Sequence, residues 1–210
     1  MRGSASSWIA ACAAAEAIGM TAAATAARVG DGLDSRWAAL GLVVAGGLVE
    51  GTALGLAQSS VLAARLPGLR RRAYVVATVL IAGVGWAAAS APGVLSTDDG
   101  GDEPARALMV LGGAAIGLVM GPVLGGAQAL ALRGAAAAPR RWVLANTLAW
   151  PPVMVVIFAG ATAPDASWST LLVALTGAVT GVVAGTVLGV LTAAWLPQPV
   201  QRQPAQPPAQ

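Results

Sequence analysis

Three times in this chain, glycines recur every four positions inside an apolar run, and no other feature limits its possible folds so strongly. The first copy is Gly47 to Gln58, GLVEGTALGLAQ; the second is Gly117 to Gln128, GLVMGPVLGGAQ; a third, weaker copy is Gly177 to Leu188, GAVTGVVAGTVL. The glycines are Gly47, Gly51 and Gly55, then Gly117, Gly121 and Gly125, then Gly177, Gly181 and Gly185. At about 100° per residue they form one slowly drifting stripe along a helix. Gln58 falls roughly 20° from Gly47 on that stripe, and Gln128 repeats the relation in the second copy. In water, each interior glycine costs a helix about 1 kcal/mol against alanine. In lipid, small residues every four positions let backbones approach closely, and that packing drives helix association. The stripes therefore predict an all-α membrane protein, with these glycines as its helix-packing residues in the manner of a glycine zipper.

Composition agrees. Of 210 residues, 57% are hydrophobic and only 10% are charged, against about 25% charged in ordinary soluble domains. The formal net charge is +3, carried by arginine without a single lysine. Those arginines lie between apolar runs, where membrane topology accounts for them, so no nucleic-acid partner is expected. A lone Cys12 and the absence of histidine leave no internal disulfide, no zinc site and no His-dependent catalysis. Neither cofactor nor metal is expected.

Six apolar runs follow in order, with approximate spans 8–27, 37–62, 73–90, 107–132, 142–162 and 168–196. Each is long enough to cross a hydrocarbon layer of about 30 Å. Residues 1–196 thus predict one six-helix transmembrane domain. Residues 197–210, rich in Pro and Gln, predict a disordered cytoplasmic tail. The first run has a secretory signal as its rival reading. It carries Glu16 and fits the repeat described next, and is expected to be retained as a helix.

The second and fourth loops hold Arg65, Arg70, Arg71, Arg72, Arg133, Arg140 and Arg141 with no acid among them. The first, third and fifth loops hold Asp31, Asp34, Asp98, Asp99, Asp102, Glu103 and Asp165 against only Arg28, Arg36 and Arg106. The positive-inside bias puts the arginine-rich loops and both termini in the cytoplasm. Trp8, Tyr74, Trp142 and Trp195 are expected as anchors at the inner membrane interface, and Trp37 and Trp168 at the outer one. Trp86 and Trp150 are left deeper.

The odd runs also repeat. Aligning Trp8, Tyr74 and Trp142 brings Cys12, Thr78 and Asn146 together, at spacings of 66 and 68 residues, close to the 70 between Gln58 and Gln128. The architecture predicted is three helical hairpins in tandem. All three share one orientation, unlike the inverted repeats of many transporters.

The pattern G-x3-G-x3-G-x-x-Q, then leucine and basic residues, then W-x-x-A-N/S-x-x-x-W, resembles a group of uncharacterised bacterial multi-pass membrane proteins. Gln128, Leu132, Arg133, Trp142 and Trp150 match; Ser59 and Ala129 stand where a tryptophan follows the glutamine in that group, and Ala63 where an arginine would be. The resemblance implies the fold and a bacterial cell (inner) membrane. It implies no activity.

Glu16 and Glu50 are the only acids inside apolar runs, about 12 Å and about 18 Å from the arginine-rich end. An intramembrane ionisable residue is a functional hypothesis by default; its rival is simple packing as a neutral acid. The first two helices are joined by a short turn, so the two acids are expected within reach of each other. Two carboxylates sharing an apolar site cannot both ionise easily, so one is expected to hold its proton. Gln58, Gln128 and Asn146, about one turn inside the arginine-rich end, complete a candidate intramembrane polar site, or else serve as interhelical hydrogen bonds. Pro151 and Pro152 are expected to kink the fifth helix.

No catalytic constellation emerges. The function expected is a non-enzymatic helical bundle, structural or partner-binding, in contact with the lipid bilayer and with a membrane-protein partner or further copies of itself. The alternative is a small transporter or channel, proton-linked through Glu16 and Glu50.

Overall fold

The computed structural model describes residues 2–95 and 105–200. These form six helices: α1 (Arg2–Gly30), α2 (Arg36–Ala63), α3 (Arg71–Leu95), α4 (Arg106–Leu132), α5 (Pro139–Ala161) and α6 (Thr170–Ala193). All six are long and apolar enough to cross a membrane. The chain is an all-α membrane bundle of three successive hairpins. One end carries the arginine-rich α2–α3 and α4–α5 loops and the starts of α1, α3 and α5; the other, acidic end carries the α1–α2 and α5–α6 loops.

Local chemistry sets the helix boundaries. Ser35 and Ser169 cap α2 and α6, each hydroxyl accepting from the backbone N–H three residues on. α5 starts on Pro139, whose missing N–H would have had no helical partner there. α4 stops before Gly134, which takes φ +79°, a left-handed conformation that favours glycine. At the acidic end, Asp165 accepts from the Ser167 hydroxyl and backbone N–H, and these bonds hold its carboxyl below the usual carboxylate range.

Two expectations need correction. α6 is shorter than 168–196, because Ser169 is its cap and Ala194–Leu196 turn away through 3-10-type bonds to Thr192 and Ala193. The tail is ordered over residues 197–200. Ala137 N–H donates to Gln198 O and Val200 N–H to Ala135 O, so main-chain pairing holds a stretch whose side chains offer no apolar face. Residues 201–210 lie outside the described residues, as do Asp98, Asp99, Asp102 and Glu103. Both Pro151 and Pro152 lie within the single helix α5. α4 braces that turn: Gly117 lies against the Trp150 carbonyl and the Pro151 Cα.

The glycine stripes order the helices. Each even helix lays its stripe on the odd helix of the next hairpin. On α3, Gly47 meets Trp86, Gly51 meets Val79 and Ala82, and Gly55 meets Val75 and Thr78. On α5, Gly117 meets Pro151, Gly121 meets Asn146 and Thr147, and Gly125 meets Val143 and Asn146. On α1, Gly177 meets Met20, Gly181 meets Glu16 and Ala17, and Gly185 meets Cys12 and Ala13. The last helix thus packs on the first and the bundle closes into a ring. The opposite faces carry exposed aliphatics such as Val49, Val119, Val123 and Val183, as lipid-facing surfaces do.

The seams within hairpins differ. In the first hairpin Gly19 lies against the backbone of Glu50, and Gly46 against that of Ala23. In the second, Gly85 occupies the position matching Gly19 but meets only the tip of Met120. α3 and α4 therefore stand further apart than α1 and α2.

Candidate functional site

Near the arginine end the bundle is filled by a polar layer. Trp8, Tyr74 and Trp142 point into it and are at most 1% exposed. This corrects the expectation that they anchor the membrane interface: their depth is right, but each polar edge serves the interior instead of the headgroups. Tyr74 OH donates to Gln58 Oε1 at 2.9 Å, and Trp142 Nε1 donates to Gln128 Oε1 at 2.8 Å. Both bonds run from an odd helix to the even helix striped against it. On α6, Leu188 stands where the third glutamine would be. Thr192, one turn on, accepts from Trp8 Nε1 at 2.8 Å in its place.

The layer is joined across the bundle. Gln128 Nε2 donates to Thr78 Oγ1 at 2.9 Å and, more weakly, to Gln58 Oε1 at 3.4 Å. Gln58 Nε2 reaches Cys12 Sγ at 3.7 Å. Asn146 donates to the Trp142 carbonyl and accepts from Trp150 Nε1. The Trp8 and Trp142 rings meet edge to face, 5.6 Å between centroids. Every member is neutral and partnered, so the layer seals the bundle at this end. Beneath it, Arg141 lies over the Trp195 ring and Arg70 donates to the Leu130 carbonyl.

Glu16 and Glu50 lie deeper. Glu16, on α1, is fully buried, and neither of its oxygens has a hydrogen-bond donor among the other described residues. Glu50, on α2, is 5% exposed; its Oε2 accepts from Trp86 Nε1. The two side chains share the α1–α2 seam about one helical turn apart. Gly19 makes this geometry possible: the Glu50 side chain starts directly over it, one turn from Glu16, where any larger residue would push α2 away. Every arginine among the described residues lies in a loop or in a terminal turn of a helix, so none neutralises the pair. A direct contact between two carboxyls requires a proton, because an ionised carboxylate only accepts.

The gap between α3 and α4 opens into a chamber of about 200 Å³. Its walls are mostly apolar side chains of α2 to α5, including Ile81, Ile116, Met120 and Met154, with the aromatic side chains of Trp86, Trp150 and Phe158. Leu54, Thr78 and Leu124 line its inner part, and Thr78 is the residue that accepts from Gln128 in the polar layer. The chamber extends to Ser90 and Ala161 near the acidic end. Among the described residues Glu50 is its one ionisable lining residue; Glu16 is not part of the lining.

All five expected polar residues are thus buried, in two groups: Gln58, Gln128 and Asn146 in the layer, Glu16 and Glu50 beyond it. Reading the sequence missed Trp86 as the partner of Glu50 and Thr192 as the stand-in for a glutamine. The regular spacing of Trp8, Tyr74 and Trp142 was a usable signal for the layer, since an interface anchor needs only depth and not strict register. Among the described residues, no three His, Cys, Asp or Glu side chains gather as a metal site would require.

Comparison with protein-family models, with curated proteins and with solved structures finds no match to this chain.

Proposed function

We propose that the chain is a non-enzymatic membrane bundle that binds a small apolar guest, with the glycine stripes as its zipper and the three hairpins as an internal repeat. The observation that carries this reading is the chamber. It lies at a loosely packed seam of the ring, its lining is apolar apart from Glu50, Thr78 and Ser90, and it stops at the polar layer. The arginine bias supports an arrangement in a bacterial cell membrane with the sealed end and both termini in the cytoplasm. The chamber then faces the outer half of the bilayer.

The test uses tritiated benzyl alcohol and purified protein in nanodiscs. Saturable binding is expected, and Gly85→Leu should abolish it, because the new side chain extends past the movable tip of Met120 into the chamber. Binding unaffected by that substitution would remove the reading.

A second reading, proton-linked transport, is favoured by the Glu16–Glu50 pair alone. In proteoliposomes loaded with a pH-sensitive dye, a transporter would move protons when guest is added, and Glu50→Gln would stop that movement. A binding protein would give no dye response with either form.

A further inference from the structure

Resting on the guest-binding reading, we propose that the chamber takes a molecule with an apolar body and one protonated nitrogen, an arylalkyl amine or its like, whose N–H groups bond to Glu50 while Glu16 holds the proton that the two acids share.

Hydrogen-bond accounting assigns the two acids different roles. Glu50 already accepts from Trp86 Nε1, whereas Glu16 has no donor from any other described residue. The arrangement that satisfies both is a protonated Glu16 donating to a Glu50 carboxylate, which then accepts from two sides. The nearest other titratable side chain is Cys12, one turn from Glu16 on α1, and it faces Gln58 in the polar layer. Of the two acids Glu50 is thus the one placed to carry negative charge, with no arginine among the described residues beside it.

A guest supplies what the walls lack. A cation reaching Glu50 meets a carboxyl oxygen and, on the same walls, the aromatic side chains of Trp86, Trp150 and Phe158, whose rings attract a desolvated ammonium that lies over them. An anion would be repelled by Glu50. A bare metal ion would find one carboxylate and the hydroxyls of Thr78 and Ser90, far short of its coordination needs. At about 200 Å³ the chamber exceeds the space of about 150 Å³ that holds a benzene molecule in an engineered apolar cavity. A single ring with a short amine arm is of the right size.

The experiment measures tritiated benzylamine binding to the full chain in nanodiscs, with unlabelled benzyl alcohol and toluene as competitors. Benzylamine should bind about tenfold more tightly than benzyl alcohol or better, the factor expected from a hydrogen bond to a charged group. Glu50→Gln should erase that preference while leaving benzyl alcohol binding unchanged. Glu16→Gln should keep the preference, since its amide N–H replaces the acid proton as donor to Glu50. Glu16→Leu should reduce it. Equal affinity for amine and alcohol, or a preference that survives Glu50→Gln, would overturn the proposed guest class and leave the chamber reading standing. No saturable binding of any of the three probes would overturn both.

Discussion

An alanine at Gly121 tests whether the stripes hold the ring together. Its Cβ would fall 2.6 Å from the Asn146 carbonyl oxygen and 3.0 Å from the Thr147 Cα, both backbone atoms of α5. Ordinary contact begins at 3.4 Å, so the two backbones must part by about 0.8 Å, a gap that forfeits roughly a quarter to a half of each dispersion contact along the seam. Overpacking of this kind costs about 1–3 kcal/mol. The same substitution at Gly126, on the same helix, meets nothing within 4 Å and gains about 0.5–1 kcal/mol of helix propensity. Gly121→Ala and Gly126→Ala should therefore differ by about 2–4 kcal/mol, with opposite signs relative to the parent. Unfolding the purified proteins by SDS titration in mixed micelles, followed by far-UV circular dichroism, measures both. Equal changes in the two variants would mean that the glycines reflect composition and not close packing.

Three further outcomes are expected. Gln128→Leu leaves the Trp142 N–H without its acceptor and Thr78 without its donor, and the same SDS titration should show a loss of about 1–3 kcal/mol. Leu54→Ile, a volume-conserving change in the same helix bundle, should cost less than about 1.5 kcal/mol. In a Cys12→Ser background, cysteines at Arg71 and Arg140 should resist impermeant thiol reagents in intact cells while one at Gly32 is labelled; labelling of the first two would reverse the orientation.

Which parts of this molecule could be read from its residues follows from how locally each is encoded. The spans and the hairpin order were legible because apolar runs and charged loops are one-dimensional signals. The meeting of Glu16 and Glu50 was legible too, since a short turn makes α1 and α2 antiparallel neighbours and depth alone then matches the acids. The inward aim of Trp8, Tyr74 and Trp142 was not, because the same depth suits a lipid-facing anchor and only the neighbouring helix decides between them. Nor was the chamber. It depends on Gly85 meeting a flexible methionine tip where Gly19 meets backbone, a difference in how far two helices stand apart that no spacing within one helix records. The ordered stretch at 197–200 escaped for a related reason: main-chain pairing ignores side-chain composition.

The contact between α6 and α1 has a consequence for how the protein is made. Helices enter the membrane in the order of synthesis, so each hairpin finds its neighbour as soon as it emerges, except at one seam. Until α6 arrives, the backbone face of α1 from Cys12 to Met20 has no stripe to cover it. The nascent chain therefore passes through a stage, lasting from the first helix to the last, in which one long close-packing face stands uncovered. A chain that stops before Gly177 leaves that stage permanent, and its first helix keeps a surface shaped for a neighbour that never comes.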